Sequence, residues 1–172
     1  IVAIRINEED ELIGARVSTG SQDIFLTTRQ GKSIRFHEDE IREMGRVAAG
    51  NIGIRMDSGD EVVGMDVLDE GATILTVTEN GFGKRTRTEE YRVQGRGGKG
   101  ILTIKTTQRN GLVVYACQVT DPDELMIITE QGKIIRLKVA DISVIGRNTQ
   151  GVKLIDLAEG EKVVAVAKVM ED

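Results

Sequence analysis

The chain repeats itself with a period of about 50 residues, and this period constrains the fold more than any other feature of the sequence. Four isoleucines mark the repeat at spacings of 50, 50 and 51 residues: Ile4, Ile54, Ile104 and Ile155. A fixed period indicates one structural unit copied along the chain, with each copy contacting mainly its neighbours. We therefore expect three whole repeats preceded by half a repeat, at about 21–71, 72–122, 123–172 and 1–20 respectively.

Each repeat consists of short β-type segments separated by tight turns. In the first repeat these segments are 23–28, 33–37, 51–56 and 61–68, and Gln30-Gly31 joins the first two. Runs rich in β-branched residues and bounded by Gly, Asn and Asp favour strands, and a 50-residue period with four strands is typical of blades around an axis. The sequence predicts an all-β, propeller-like array of four-stranded blades, about three and a half of them.

The turn between the third and fourth segments keeps its register along the chain. The alignment places four polar residues at equivalent points of this turn: Asp10, Asp60, Asn110 and Glu161. The connection between the second and third segments carries a Gly-Arg-x-x-x-Gly motif in every repeat, at 45–50, 95–100 and 146–151.

The middle copy of this motif, Val93-Gln-Gly-Arg-Gly-Gly-Lys-Gly100, has additional glycines. Gly95 and Gly100 have counterparts in the other repeats and are typical of turns with positive φ. Gly97, Gly98 and Lys99 have none, and a bare backbone beside cations suits close approach to a phosphate. The stretch also matches G-x-G-x-x-G, but it leads into a strand-like segment at 101–105 and not a helix, which argues against a dinucleotide site.

The formal net charge is −5, yet acidic and basic residues are segregated. The segment 57–70 carries six acidic residues and no cation, whereas 84–99 carries six cations against two acidic residues. The segment 133–153 carries five cations against one acidic residue. The turns before the fourth segments are acidic, and the first hairpins and long connections are basic. Since equivalent turns of a blade array share an edge, the aligned cations are expected to form a curved positive rim.

Catalytic and metal-binding patterns are missing from the sequence. His37 is the only histidine and Cys117 the only cysteine, so neither has a partner for metal or triad chemistry. We expect no catalytic residue, metal or cofactor in this chain. No apolar run reaches the roughly 18 residues of a membrane span, and one cysteine cannot form an internal disulfide, which favours a cytoplasmic location. Because the chain begins at Ile1, we expect it to be part of a longer protein.

Several stretches resemble one known family. Glu79–Thr86, Arg109–Val114 and Ile145–Val152 look like the later blades of the C-terminal domain of DNA gyrase A, a β-pinwheel that wraps DNA. The resemblance covers essentially the whole chain, which looks like the last three and a half of the family's six blades. Gln94–Gly100 is similar to the gyrase-A box, whose pattern is Gln, basic, Arg, Gly, Gly, basic, Gly, except that Gly95 replaces a basic residue. The family's principal box lies in its first blade, which this chain does not contain.

The resemblance implies sequence-independent binding, bending and wrapping of duplex DNA along a basic rim, in support of negative supercoiling by the gyrase holoenzyme. The expected partners are double-stranded DNA, the remainder of gyrase A and the gyrase B protein, with ATP and magnesium bound elsewhere, at the bacterial nucleoid. The expected DNA-binding residues are Lys32, Arg35, Arg46, Lys84, Arg85, Arg87, Arg92, Gln94, Arg96, Gly97, Gly98, Lys99, Gly100, Lys133, Arg136, Lys138 and Arg147.

Two alternatives stay open. The equivalent C-terminal domain of topoisomerase IV, which serves DNA binding and substrate selection, resembles this sequence but usually has fewer blades and a degenerate box. A protein-interaction propeller of the WD-repeat kind would have an apolar or aromatic face and the family dipeptide, whereas aromatic residues are only 3% of this chain.

Overall fold

The computed structural model describes residues 4–169, which fold almost entirely as β-structure. Within that range the strands are β1 (Asp23–Thr28), β2 (Lys32–His37), β3 (Val62–Val67), β4 (Thr73–Thr78), β5 (Phe82–Arg87), β6 (Ile101–Leu102), β7 (Val113–Val119), β8 (Glu124–Thr129), β9 (Ile134–Lys138), β10 (Val152–Lys153) and β11 (Val163–Val169). Three single-turn 3-10 helices occupy Glu38–Glu40, Thr88–Glu90 and Val139–Asp141. The all-β prediction is confirmed. No helix in the described part of the chain is long and apolar enough to cross a membrane.

The strands form three antiparallel sheets, and each complete sheet takes strands from two repeats. The sheet orders are β3-β1-β2-β6, β10-β5-β4-β7 and β11-β8-β9. Strand β6 belongs to the second repeat but pairs with β2 of the first, and β10 of the third repeat pairs with β5 of the second. The prediction that each repeat builds its whole blade is therefore wrong. The connector between the second and third strands, residues 38–50, 88–100 and 139–151, is long enough to reach the preceding sheet.

This exchange of strands leaves both ends of the array incomplete. The third segment of the first repeat would pair with the second strand of a preceding repeat, and here only Ile54 forms an isolated bridge, to Gly98. Residues 4–20, which lie in the predicted half blade 1–20, form no strand, while residues 1–3 lie outside the described range. Within residues 4–169 the third sheet has three strands, and no third-segment strand pairs with β9.

The fourth strands lie on the inside of the array. Strand β7 packs against both β3 and β11, whereas β6 and β10 are at the opposite, outer edges of their sheets. The core between the second and third sheets is aliphatic, with Leu75, Leu125 and Ile127 fully buried. Tyr91 is 1% exposed and meets Phe25 edge to face at 4.8 Å, so this tyrosine joins the first two blades by packing.

A β-bulge at the end of the first strand fixes the register of every blade. It aligns one valine per blade, each opposite the last threonine of the first strand: Val62, Val113 and Val163. By this register Gly111, and not Asn110, corresponds to Asp60, so the sequence alignment was wrong by one residue at this turn. Asn110 is buried in the longer turn of the second repeat, where its side-chain amide donates to the carbonyls of Lys105 and Gln150.

Candidate nucleic-acid interface

The cations and carboxylates of the array are not arranged in the way that the sequence suggests. Because the fourth strand runs antiparallel to the first, the first hairpin turn and the third-to-fourth turn meet at one edge. There the Gln30 amide donates to Asp60 Oδ1 at 2.9 Å, and Arg29 Nη1 pairs with Glu61 Oε1 at 2.7 Å. We call this the turn edge. The prediction that the basic hairpin turns and the acidic third-to-fourth turns lie on different rims is wrong, because both kinds of turn meet here. The connectors begin at the opposite ends of the second strands, and we call that side the connector edge.

Cations of the turn edge are neutralised by carboxylates. Lys32 pairs with Asp57, and Lys133 Nζ lies 3.5 Å from Glu161 Oε2. Hydrogen bonds from the Thr129 hydroxyl and the Ala158 amide lower the pKa of Glu161 below its usual range, and Lys133 adds to this. Two of the predicted DNA-binding lysines therefore lie among carboxylates, where the local field favours phosphate less.

The arginines of the second strands reach into the following repeat. Arg35 Nη1 donates to the Thr88 carbonyl at 2.9 Å and to the Tyr91 carbonyl at 3.3 Å. Arg85 Nε donates to the equivalent carbonyl of Ile142 at 2.9 Å. Arg136, in the last of the described repeats, pairs with Glu124, and 61% of its side chain is exposed. These three positions were predicted to hold phosphates, but the structure places two of them between blades.

The arginines of the Gly-Arg motif reach in the reverse direction. Arg96 Nη1 donates to the Ile52 carbonyl at 2.7 Å, and its Nε donates to the Glu40 carbonyl at 2.9 Å. Arg147 Nη1 donates to the Leu102 carbonyl at 2.9 Å and its guanidinium lies over the Tyr91 ring. Arg46, the counterpart in the first repeat, is exposed.

Lys84 is the largest departure from the predicted rim. Its side chain is fully buried, and its Nζ donates to the Gly146 carbonyl at 2.6 Å and the Arg147 carbonyl at 2.8 Å. Burial lowers the pKa of this amine to about 8, against the opposing field of Glu90, and Arg147 lowers it further. Lys84 and the 6%-exposed Arg85 are inside the protein, so neither can contact a phosphate in this conformation. The prediction that Lys84 and Arg85 lie on an exposed rim is therefore wrong.

The remaining predicted cations are exposed: Arg87, Arg92 and Lys138 lie near the connector edge, and Arg46 and Lys99 lie farther along the connectors, with Lys99 close to Ser33 at the start of β2. None of the exposed cations named here has a carboxylate within ion-pair distance in residues 4–169: Arg46, Arg87, Arg92, Lys99 and Lys138. Arg87 ends β5 and Lys138 ends β9, at equivalent places. Arg42 is a further exposed cation that the sequence prediction missed, although it stands 50 residues before Arg92 and so shares its position in the repeat.

The box-like loop, Gln94–Gly100, packs against the preceding repeat. The Gln94 amide donates to the Arg35 carbonyl and the Gly97 amide to the Gly53 carbonyl, both at 2.7 Å. Gly100 has φ of 69°, and a Cβ on it would collide with the Ser33 carbonyl oxygen. Close approach of two repeats thus accounts for Gly100, and Lys99 is the exposed cation of the loop.

The residues that could serve a metal or a nucleophile can be located in the structure. No group of three or more His, Cys, Asp or Glu side chains in residues 4–169 is placed to hold a metal ion. Burial raises the pKa of the Tyr91 hydroxyl to about 12 and that of the Cys117 thiol to about 11, so both are protonated at neutral pH.

Comparison with known proteins identifies the family. The family model described as DNA gyrase C-terminal domain, beta-propeller, matches residues 1–19, 22–69, 72–116 and 123–170. DNA gyrase A of Halalkalibacterium halodurans is 63% identical over 169 residues, 98% of this chain and 20% of that protein. DNA gyrase A of Escherichia coli K12 is 47% identical over 170 residues, 99% of this chain and 19% of that protein. The chain thus spans about a fifth of the length of these relatives.

Solved structures agree with this fold. The DNA gyrase A C-terminal domain superposes with a TM-score of 0.89 at 24% identity, covering 99% of this chain and 58% of that one. The C-terminal domain of DNA topoisomerase IV superposes with a TM-score of 0.91 at 25% identity, covering 97% and 52%. At 24% identity the first of these likenesses shows the fold alone. Together with the family match, they establish that this chain belongs to the family of DNA gyrase C-terminal domains.

Proposed function

We propose that this domain binds duplex DNA without sequence preference and bends it along the connector edge. The observation that carries the proposal is a set of exposed cations without a carboxylate partner, of which Arg87, Arg92 and Lys138 lie near that edge and Lys99 lies on a connector. Most cations of the turn edge, in contrast, are paired with carboxylates. Unpaired cations can release the counterions of DNA phosphates, and this release dominates non-specific affinity.

The curvature of the array supports bending. Successive sheets turn around an inside formed by the fourth strands, so a duplex that contacts several connectors has to follow a curved path. Smooth bending of a 20–30 bp site costs roughly 1–6 kcal/mol, which several phosphate contacts acting together can offset. Wrapping of DNA in this way is the role that we propose for the domain in negative supercoiling.

The rest of the proposal concerns the longer protein. We infer that this domain is a non-catalytic part of a gyrase-type topoisomerase. In this proposal, other parts of gyrase A and the gyrase B protein bind ATP and magnesium and cleave the DNA strands. The assembly acts in the bacterial cytoplasm, at the nucleoid. Gyrase is preferred to topoisomerase IV because the relatives at 47% and 63% identity are DNA gyrase A proteins.

The salt dependence of duplex binding tests the interface. One variant replaces Arg87, Arg92, Lys99 and Lys138 by Gln; its matched control replaces four cations of the turn edge, Arg29, Lys32, Lys133 and Lys153, which are all paired with carboxylates. Both remove four positive charges, so a purely global field predicts equal losses of affinity. We expect the first variant to flatten the slope of log K against log salt by about 0.9 for each lost phosphate contact. The control should keep the wild-type slope.

Equal slopes for both variants, or a wild-type slope near zero, would refute the connector-edge interface. Wrapping is tested separately by relaxing a closed plasmid with a type I topoisomerase while the domain is bound. We expect the linking number of the plasmid to shift in one direction only, by an amount that increases with the concentration of the domain. Binding without such a shift would leave DNA contact intact and reject wrapping.

A further inference from the structure

We infer that the arginines between repeats are positioning residues that fix the angle from one blade to the next, and with it the curvature of the bound DNA. The inference rests on the proposed function and reassigns residues that the sequence predicts to be phosphate contacts. We call Arg35, Arg85, Arg96 and Arg147 the clamp arginines.

Each interface between repeats is crossed by arginines in both directions. Between the first and second repeats, Arg35 donates forward to the Thr88 and Tyr91 carbonyls, and Arg96 donates backward to the Glu40 and Ile52 carbonyls. The second interface repeats this arrangement, with Arg85 donating forward to the Ile142 carbonyl and Arg147 backward to the Leu102 carbonyl.

A carboxylate at the end of each of the first two 3-10 helices completes the clamp. The Arg96 amide donates to Glu40 Oε2 at 2.6 Å, and the Arg147 amide donates to Glu90 Oε2 at 3.1 Å, 50 residues later. The backbone and the guanidinium of one residue thus hold the same neighbouring repeat. Recurrence of both contacts at two interfaces indicates a built joint and not an accidental surface contact.

The guanidinium contacts add direction to a joint that backbone hydrogen bonds, such as the one from the Gln94 amide to the Arg35 carbonyl, also hold. The strand that crosses between sheets is only two residues long in each case, β6 and β10. Apolar packing is non-directional, whereas a guanidinium presents its donors in a rigid planar fork. A fork that holds two carbonyls of a neighbouring repeat limits how far that repeat can rotate.

Arg96 and Lys99 provide a matched pair for the test. They stand three residues apart in the same loop and carry the same charge, but Arg96 is engaged by two carbonyls and Lys99 is exposed. We compare Arg96→Lys, Arg96→Met and Lys99→Met by duplex affinity at several salt concentrations, and by fluorescence energy transfer between the ends of a bound duplex.

The two roles predict opposite results. For Lys99→Met we expect the salt slope to flatten by about 0.9, so that the affinity loss changes about 3.5-fold over a fourfold range of salt, with the bend unchanged. For both Arg96 variants we expect the wild-type slope and a smaller, broader distribution of bends. Restoration of the bend by Arg96→Lys, or a flattened slope for Arg96→Met with a normal bend, would show that Arg96 contacts phosphate and would overturn the inference.

A measurement without DNA separates this inference from the proposed function. In a Cys117→Ala background, spin labels at Ser58 and Glu159, both exposed on the turn edge of the first and third repeats, report the distance across the array. We expect Arg96→Lys to broaden that distribution and Lys99→Met to leave it unchanged. If Arg96→Lys does not fold by circular dichroism, Arg35→Lys tests the same interface from the other side. An unchanged distribution in a folded clamp variant overturns the clamp, whereas absence of salt-dependent binding by the wild type rejects only the DNA function.

Discussion

The buried ammonium of Lys84 gives the most quantitative prediction. Its position is occupied by Ile34 and Ile135 in the other repeats, so a charged side chain at this point is particular to the second repeat. Because burial lowers its pKa from 10.5 to about 8, the folded protein releases this proton at a lower pH than the unfolded chain does. The perturbation that we propose is Lys84→Met, which keeps a long apolar stem and removes the titration.

The sign of the effect follows from proton linkage. Between pH 8 and 10.5 the unfolded chain binds one more proton at this site, so raising the pH disfavours unfolding. A shift from 10.5 to about 8 corresponds to a total of about 3 kcal/mol, of which about 2.5 kcal/mol falls between pH 7 and 10. The free energy of unfolding of the wild type, minus that of Lys84→Met, should therefore rise by about 2.5 kcal/mol over that range.

The measurement is urea or thermal unfolding at each pH for both proteins. Taking the difference between them removes the contributions of other titrating groups, such as Cys117, whose raised pKa acts in the opposite direction above pH 9. For a chain of this size the effect corresponds to a change in the Tm difference of roughly 5–10 °C. Lys138→Met, at an exposed lysine, is the control for the loss of one lysine, and the rise expected for Lys84→Met is measured against it.

A Lys84→Met difference that is flat from pH 7 to 10 would refute the reasoning, because it would mean that the Lys84 ammonium is as well solvated in the folded protein as in the unfolded chain. At pH 7 the difference in unfolding free energy between the wild type and Lys84→Met is smaller and has no fixed sign. The variant removes a buried charge, which stabilises the fold, but it also leaves the Gly146 and Arg147 carbonyls without their donor.

Two other changes have expected outcomes that thermal melts can check. Gly100→Ala should lower the Tm by more than Gly50→Ala. Both glycines have positive φ, but of the two only Gly100 has a backbone carbonyl, that of Ser33, where a Cβ would lie. Equal losses of Tm would show that the two repeats can separate at this point without cost. Tyr91→Phe should cost about 1–2 kcal/mol because it leaves the buried Thr103 hydroxyl without its 2.6 Å partner, and a measurable change in duplex affinity would contradict a purely structural role for Tyr91.

The fold class could be read from the sequence because its signal is local. The period of the isoleucines, the alternation within the strands and the glycines of the turns depend on neighbouring residues, and they were sufficient for an all-β array of four-stranded blades. The resemblance to the gyrase domain has the same origin, since the Gly-Arg motif and its loop are contiguous in the chain. Even here the alignment was wrong by one residue at Asn110, because a longer turn with a buried side chain looks like an ordinary one in sequence.

What only the tertiary structure decided is which residues face solvent. A row of arginines in register looks the same in sequence whether it lines a DNA path or joins two blades, since both uses require one arginine per repeat. The exchange of the third strand brings Arg35, Arg85, Arg96 and Arg147 against backbone carbonyls 44 to 57 residues away, and Lys84 against carbonyls 62 and 63 residues away. Such carbonyls belong to the backbone and leave no trace in residue identity. The sequence determined that positive charge recurs with the blades, and the packing of one repeat on the next determined which of those charges remain exposed.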